Sequence, residues 1–171
     1  MNNFVFQNPT KLIFGKGTIE HLSTEIPANK KVFVTFGGGS VKTNGVYQQV
    51  KRALTGKDHI EFWGIEPNPT VETLRKAIAI VKEENCDFIL AVGGGSVIDG
   101  SKLIAAAAMI EEDAWELVKR PSLYKGSLPL ASVLTIPATG SEMNPGAVIT
   151  NSALKEKFSF YSTFPVFSIL D

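Results

Sequence analysis

The sequence predicts an α/β protein, a three-layer, Rossmann-like nucleotide-binding domain with a mainly parallel sheet. Short β-rich runs alternate with helical stretches along the chain, which is typical of right-handed crossovers between parallel strands. Two of the runs, Val32–Phe36 and Phe88–Val92, are almost continuously apolar, as expected for strands that helices cover on both faces. Each of these two runs is followed by three glycines and a serine.

The N-terminal region contains predicted elements that precede this alternation. Phe4–Phe6 and Leu12–Phe14 resemble a separate pair of strands, and Gly15–Gly17 then leads into a helix that carries Ile19 and Ile26. Because this strand pair precedes the main sheet, we expect it to form an exposed edge. An exposed strand edge invites pairing with another chain.

The remaining elements follow from hydrophobic periodicity and from turn residues. Further strands are predicted at Ile60–Trp63, Val133–Pro137 and Val166–Leu170. Helices are predicted over Val46–Ala53, over Leu74–Val81 after a capping Thr70, and over Val97–Ile110. The polar stretch Lys119–Gly126 is predicted to be a loop.

Length and composition favour one globular domain without a bulk attraction to nucleic acid or membrane. A chain of 171 residues with 44% hydrophobic and 20% charged residues suits a single folded domain. Lys plus Arg and Asp plus Glu number 17 each, so the formal net charge is zero. The N-terminus lacks a signal-peptide pattern, and the longest apolar run, Leu103–Ile110, is shorter than a membrane span of ~20 residues. We therefore expect a soluble, cytoplasmic protein that binds neither nucleic acid nor membrane.

Gly93–Ser96 lies between a predicted strand and a predicted helix, where it can hold a phosphate. Glycines let the backbone approach a bound group that a Cβ would exclude. The amide groups at a helix start carry about half a positive charge, so no lysine is required. A plain glycine turn is the alternative, but ligands of open α/β sheets bind at the carboxyl ends of the strands.

Two further loops have related chemistry. Gly37, Gly38, Gly39 and Ser40 repeat the arrangement after an earlier strand, and two such loops on neighbouring strands suit a two-part ligand. Neither loop matches the G-x-G-x-x-G fingerprint or a P-loop. The segment 135–141 leaves a later strand with hydroxyl groups and a flexible glycine, so it can hold a carboxamide or phosphate or serve as a structural turn.

Together these elements resemble the iron-containing alcohol dehydrogenases, a metal-dependent (group III) family, and within it the branch of butanol dehydrogenases and broad aldehyde reductases. The matching segments are Pro9–Gly17, Gly37–Lys42, Glu66–Pro69, Gly93–Lys102 and Pro137–Met143. The resemblance implies that residues 1–171 form an N-terminal dinucleotide-binding domain, similar in fold to that of dehydroquinate synthase. It also implies that the C-terminal helical metal-binding domain is absent from this sequence.

The resemblance further implies a role for individual residues. The implied ligand contacts are Gly94, Gly95 and Ser96 at the pyrophosphate, Asn68 on the adenosine side, Thr135, Thr139 and Ser141 along the cofactor groove, and Lys157 at the nicotinamide ribose. A solvated loop lysine is the alternative for Lys157. Asp99 suits either an acid that stabilises the start of its helix or a cofactor or active-site role, and it is the one catalytic candidate.

The family resemblance implies a divalent metal, iron or zinc, which in the full-length enzyme is held by one aspartate and three histidines of the following domain. This sequence stops at Asp171, and its two histidines, His21 and His59, form no ligand cluster. Cys86 is the only cysteine, which excludes a Cys-based metal cluster and an intrachain disulfide. We therefore expect no metal site in these residues, weak NADP(H) binding, and no turnover by them alone.

The implied function is hydride transfer between NADP(H) and a small primary alcohol or aldehyde, by an oxidoreductase that forms a homodimer through its early strands. The resemblance favours NADP over the alternative, NAD, because many NAD-linked relatives carry an aspartate near Gly38. Here glycines occupy that loop, and Ser40 and Lys42 can hold a 2′-phosphate. Two other functions stay open. One is a non-catalytic nucleotide-binding module, and the other is a polyol-phosphate dehydrogenase or a dehydroquinate synthase-like enzyme. The stretch Met143–Val148 favours the alcohol dehydrogenase branch over the second.

Overall fold

The computed structural model describes residues 3–5 and 7–171. The strands are β1 (Lys11–Phe14), β2 (Val32–Phe36), β3 (His59–Phe62), β4 (Phe88–Gly93), β5 (Leu130–Leu134), β6 (Gly146–Asn151), β7 (Glu156–Tyr161) and β8 (Phe167–Leu170). The α-helices are α1 (Leu22–Glu25), α2 (Val46–Ala53), α3 (Val71–Glu83), α4 (Gly95–Ala107) and α5 (Ala114–Lys119). Short 3₁₀-helices lie at Thr18–His21, Ser40–Lys42, Pro121–Leu123 and Ser141–Met143.

Six strands form one sheet in the order β1-β8-β5-β4-β2-β3, and all of its pairings are parallel. β6 and β7 form a separate antiparallel hairpin. The chain adds β3 on one side of β2 and β4 on the other, so the connections diverge between β2 and β4. Such a switch point opens a crevice at the carboxyl ends of the strands. The predicted α/β fold with a mainly parallel sheet is confirmed.

Two hydrophobic clusters, one on each face of the sheet, give the fold its three layers. In β2, Phe33 belongs to the cluster that contains α3, α4 and α5, whereas Val32 and Val34 belong to the cluster that contains α1 and α2. Successive strand residues point to opposite faces. Since both faces are covered, every residue of β2 and β4 is buried, which explains their nearly continuous apolar sequence.

The two long helices follow the sequence closely. α3 begins at Thr70, as predicted, and the Thr73 amide donates to the Thr70 hydroxyl at 3.4 Å. α4 contacts the sheet, α3 and β6, and is therefore buried nearly all round. A Cβ on Gly100 would lie 2.9 Å from Leu74 Cδ2, so glycine at this position lets α3 and α4 approach each other.

Several N-terminal predictions are wrong. Residues 12–14 do not form a separate strand pair, because β1 pairs in parallel with β8 at the edge of the main sheet. Phe4 and Val5 have no regular structure, and Phe6 lies outside the described residues. The helix predicted around Ile19 is a 3₁₀ turn followed by a single α-turn. It stops at Ile26, which is extended because proline follows it.

Other boundaries differ by a few residues, and two elements lacked a recognisable pattern. The strand predicted at 133–137 is β5, three residues earlier, with Leu134 opposite Gly93. α4 begins inside the glycine loop and ends three residues before the predicted end. α5 spans six residues, too few to show a helical period, and its end and the following 3₁₀ turn occupy part of the predicted 119–126 loop. The β6–β7 hairpin was not predicted.

Candidate functional site

A cleft of about 340 Å³ opens at the switch point, where β2, β4 and β5 end. Three loops form its walls, each following one of these strands. The predicted site residues that line it are Gly37, Gly38, Gly39, Ser40, Gly94, Gly95, Ser96, Thr135 and Thr139. The sheet topology therefore gathers both glycine loops and the hydroxyl-bearing turn around one space.

The glycine loop after β4 forms the start of α4 and presents bare backbone to the cleft. The amides of Val97 and Ile98 both donate to the Gly94 carbonyl, at 3.0 and 3.2 Å, so the amides of Gly95 and Ser96 precede the first intrahelical bonds. A Cβ on Gly94 would have only one neighbouring atom within 4 Å, the Cβ of a cleft-lining isoleucine at 3.9 Å. An open, positively polarised helix start of this kind fits a phosphate group.

Gly95 is needed because the turn after β5 packs against it. A Cβ at this position would lie 2.4 Å from Thr139 Oγ1 and 3.0 Å from Thr139 Cγ2, closer than real side chains approach. The Thr139 hydroxyl in turn shares a hydrogen bond with the Ser141 hydroxyl at 2.8 Å. Glycine at this position therefore allows the two loops to meet and form one continuous wall.

The glycine loop after β2 is open and has a cation beside it. A Cβ on Gly38 would meet no atom within 4 Å, and Gly39 has the left-handed φ of 109° that favours glycine. The Lys42 ammonium lies 4.0 Å from the ring centroid of Trp63, a cation–π contact. Trp63 is itself stacked on Phe36, the last residue of β2, with 4.0 Å between ring centroids.

Asn68, Ser96 and Lys157 lie together. The Asn68 backbone amide donates to the Ser96 hydroxyl at 3.4 Å, and the Lys157 ammonium donates to Asn68 Oδ1 at 2.8 Å. Asn68 and Lys157 were expected at different ends of the ligand, but the hairpin brings Lys157 on β7 to Asn68. The Thr150 amide fixes the hairpin there by donating to the Pro69 carbonyl at 2.9 Å. A ligand group that reaches one of these two side chains therefore also reaches the other.

A second cleft, of about 290 Å³, adjoins the first, and Thr139 lines both. The two clefts together form one groove. Asp99, Ser141 and residues of the hairpin, including Tyr161, form the walls of the second cleft. Asp99 Oδ1 accepts a hydrogen bond from the Ser141 hydroxyl at 2.7 Å, and Oδ2 accepts one from the Val148 amide at 2.9 Å. The Asp99 carboxylate thus binds two other elements, which the simple interpretation as a helix-start acid does not explain.

Lys102 was not predicted to be a site residue, although it lies one turn beyond Asp99 on α4. Its side chain is fully buried, and its ammonium donates to the Gly146 carbonyl at 2.6 Å and to Asn144 Oδ1 at 3.2 Å. Burial lowers the pKa of Lys102 to about 8, although the carboxylates of Asp99 and Glu142 act in the opposite direction. A lysine beside the apolar, alanine-rich run Leu103–Ala107 of a buried helix was the available signal.

Metal-binding groups do not assemble in the described part of the chain. No three His, Cys, Asp or Glu side chains within residues 3–5 and 7–171 are placed to hold a metal ion. His59 Nδ1 lies 3.0 Å from the Lys57 carbonyl, and His21 is exposed in a 3₁₀ turn. The donor set does not fit the metal that the family resemblance implies, so no chemical step is assigned to a metal on these residues.

Within the described ranges, no helix combines the length and the apolar character that crossing a bilayer requires.

Comparison with known families identifies the class of protein that carries this groove. The sequence model of the iron-containing alcohol dehydrogenases matches residues 9–171. The chain belongs to the iron-containing alcohol dehydrogenase family. The family predicted from the glycine and hydroxyl motifs is thereby confirmed, and the chain corresponds to an N-terminal part of its relatives.

Individual relatives in the family agree with this assignment. The chain is 53% identical over 176 residues to the probable NADH-dependent butanol dehydrogenase 1 of Bacillus subtilis. It is 50% identical, also over 176 residues, to the NADPH-dependent aldehyde reductase YqhD of Escherichia coli. Each match covers 100% of this chain and 46% of the relative, so the chain spans less than half of their length.

Solved structures of family members show the same fold. The crystal structure of YqhD from E. coli K-12 matches with a TM-score of 0.94 and 49% identity, over 99% of this chain and 45% of that one. The NADH-dependent butanol dehydrogenase A of Thermotoga maritima matches with a TM-score of 0.94 and 45% identity, over 100% of this chain and 44% of that one. The names of these relatives include both NADH and NADPH.

Proposed function

We propose that residues 1–171 form a dinucleotide-binding domain that holds NADP(H) in the two adjoining clefts. We propose further that the protein is a dehydrogenase that interconverts small primary alcohols and aldehydes. The observation that carries the proposal is the bare backbone at the start of α4, where Gly94 faces the cleft and Gly95 packs against Thr139. The family and the names of relatives that act on butanol and aldehydes support it.

The lining of the groove supports an order for the ligand along it. The pyrophosphate suits the amides of Gly95 and Ser96, which carry the positive end of the α4 dipole. The adenosine half would then extend toward the glycine loop after β2, and the nicotinamide half toward the second cleft. Lys157 and Asn68 lie beside Ser96. The Lys157 ammonium would donate to a ribose hydroxyl group, and Asn68 Oδ1 would accept from one.

The nicotinamide ring supplies the hydride donor or acceptor when the cofactor is bound. The chain's own contribution at that end would be to hold and orient the ring. The Ser141 hydroxyl donates to Asp99 Oδ1 at 2.7 Å, and both residues line the second cleft, where their remaining lone pairs would accept from the amide protons of a carboxamide. Asp99 also accepts from the Val148 amide, so its role in this proposal is binding and orientation.

We further propose that NADP(H) is preferred over NAD(H). Recognition of an unphosphorylated ribose commonly uses an acidic side chain at the 2′-hydroxyl, and the loop after β2 has glycines there. Gly38 leaves open space, and Ser40 adds a hydroxyl group on the cleft wall. The contact with Trp63 holds the Lys42 ammonium close to this loop, where it would favour a 2′-phosphate.

We also propose that two copies of the chain form a homodimer by pairing through β1. β1 is the first strand of the sheet order and pairs with β8 on its inner side. On this edge strand, Phe14 is 79% exposed and Leu12 is 49% exposed. An edge strand with exposed apolar side chains favours pairing with a second copy.

Oxidation of NADPH in the presence of butanal by the full-length protein tests the proposed activity. We expect the absorbance of NADPH at the nicotinamide band to decay only when butanal is present. A reaction without butanal is the control. Tight NADPH binding without any butanal-dependent oxidation would instead favour a non-catalytic nucleotide-binding module.

A further inference from the structure

Lys102 is a fully buried cation that the proposed function does not use. It lies on α4 with no exposed side-chain surface, and it lines neither cleft of the groove. Burying an ammonium group is costly, and a well-packed apolar residue commonly stabilises a fold at least as well. Packing alone therefore does not explain a lysine at this position.

The Lys102 ammonium closes a small hydrogen-bond network on the turn that leads into β6. It donates to the Gly146 carbonyl at 2.6 Å and to Asn144 Oδ1 at 3.2 Å. Asn144 donates through Nδ2 to the Gly140 carbonyl at 2.8 Å, and its Oδ1 also accepts from the Gly146 amide at 2.9 Å. Lys102 thus holds the turn 140–146 at both ends. It bonds Gly146 directly, and it reaches Gly140 through Asn144.

The same turn carries the groups that bind Asp99. Ser141 lies within the turn and Val148 lies just after it, and they donate to the two carboxylate oxygens of Asp99 at 2.7 and 2.9 Å. Asp99 and Lys102 are three residues apart on α4, so they lie on the same side of the helix. The helix therefore holds the turn at two points, with a carboxylate at the cleft wall and an ammonium beneath it.

We propose that Lys102 is a positioning residue for the nicotinamide end of the ligand. Its ammonium fixes the 140–146 turn on α4 and thereby sets where Asp99 and Ser141 stand in the second cleft. The inference rests on the proposed binding of NADP(H). If Lys102 has this role, its loss weakens binding of the nicotinamide half of the ligand and leaves binding of the adenosine half unchanged.

Substitutions in the 171-residue chain separate positioning from general destabilisation. Lys102→Met removes the ammonium at similar volume, and Asn144→Ala breaks the same network from the other side. Lys57→Met is the matched control, because Lys57 also donates to a backbone carbonyl, that of Ile26, at 2.7 Å, before β3 and away from the groove. Dissociation constants for NADPH and for 2′,5′-ADP are measured by calorimetry below the unfolding transition of each variant.

We expect the affinity for NADPH to fall about tenfold in Lys102→Met and Asn144→Ala, which corresponds to ~1.4 kcal/mol. The affinity for 2′,5′-ADP should change less than twofold, and Lys57→Met should match the wild type for both ligands. Equal losses for both ligands, or no loss of NADPH affinity, would overturn the positioning role. Failure of the wild-type chain to bind NADPH would overturn the proposed function and this inference with it. If Lys102→Met does not fold, Asn144→Ala decides by the same comparison.

Discussion

Alanine at two adjacent glycines should separate ligand binding from folding. Gly94 has φ −84° and ψ −172°, an extended conformation that alanine adopts, and its Cβ would have only Ile136 Cβ within 4 Å. The free energy of unfolding of Gly94→Ala should therefore stay within about 0.5 kcal/mol of the wild type. The new methyl group, however, would stand in the cleft where the phosphate approaches the helix start.

The expected loss of affinity in Gly94→Ala follows from hydrogen bonds to a charged group. Each contributes about 1.5–3 kcal/mol, and ~1.4 kcal/mol corresponds to a factor of ten in affinity. If the methyl group displaces the phosphate from a single amide of Gly95 or Ser96, NADPH should bind about 10- to 100-fold more weakly.

Gly95→Ala should behave differently, because its Cβ would overlap Thr139 Oγ1 at 2.4 Å. Overpacking of this kind costs about 1–3 kcal/mol. We expect the protein to lose about 1–3 kcal/mol of stability, and to bind NADPH more weakly because Thr139 must move.

Urea unfolding and NADPH fluorescence titration, applied to both variants, measure the two effects separately. The geometry predicts lost binding with normal stability for Gly94→Ala, and lost stability with weakened binding for Gly95→Ala. Wild-type affinity in Gly94→Ala would refute the assignment of the α4 start to the phosphate. Wild-type stability in Gly95→Ala would refute the close packing of the two loops.

The remaining predictions concern pH, cofactor choice and assembly. The pKa of Lys102 is lowered by burial to about 8 from 10.5, despite the facing carboxylates of Asp99 and Glu142. Between about pH 8 and 10.5 the Lys102 amine is therefore protonated in the unfolded chain and largely deprotonated in the folded chain. Because the unfolded state binds the extra proton, this group makes the free energy of unfolding rise as the pH increases over that range. Urea midpoints over that range should rise less in Lys102→Met, and an identical rise in both proteins would contradict the buried ammonium. Gly38→Asp should lower the ratio of NADPH affinity to NADH affinity at least tenfold, with Gly38→Ala as the uncharged control; an unchanged ratio would show that the loop does not contact the 2′ position. Phe14→Glu should convert a dimer to a monomer in light scattering, whereas a wild type that is monomeric at high concentration would contradict pairing through β1.

Much of the fold could be predicted from sequence because its central strands and longer helices carry strong local signals. β2 is covered on both faces and is apolar along nearly its whole length, so both of its ends were placed correctly. α3 combines a capping Thr70 with a regular buried face, and its start was also placed correctly. Where the signal was only a hydrophobic run, as for β5, pairing with β4 set the boundary three residues away.

Parts of the candidate site depend on contacts that no local pattern specifies. The glycine loops could be placed at strand ends from sequence, because strand, glycines and helix are consecutive. The meeting of Asn68 with Lys157 depends on the β6–β7 hairpin, whose strands lie far from Asn68 in sequence. The contact between Lys102 and Asn144 likewise spans 42 residues, so periodicity on either segment does not reveal it.

The central claim is that the groove at the carboxyl ends of β2, β4 and β5 binds the cofactor, and backbone amide NMR tests it most directly. NADPH is titrated into the isotope-labelled 171-residue chain, and the shift of each amide signal is followed. We expect the largest shifts at Gly94–Ser96, with further shifts at Gly38 and Thr139. Unchanged signals at these amides would contradict the claim, as would shifts confined to the separate open cleft lined by Gly17 and Arg52.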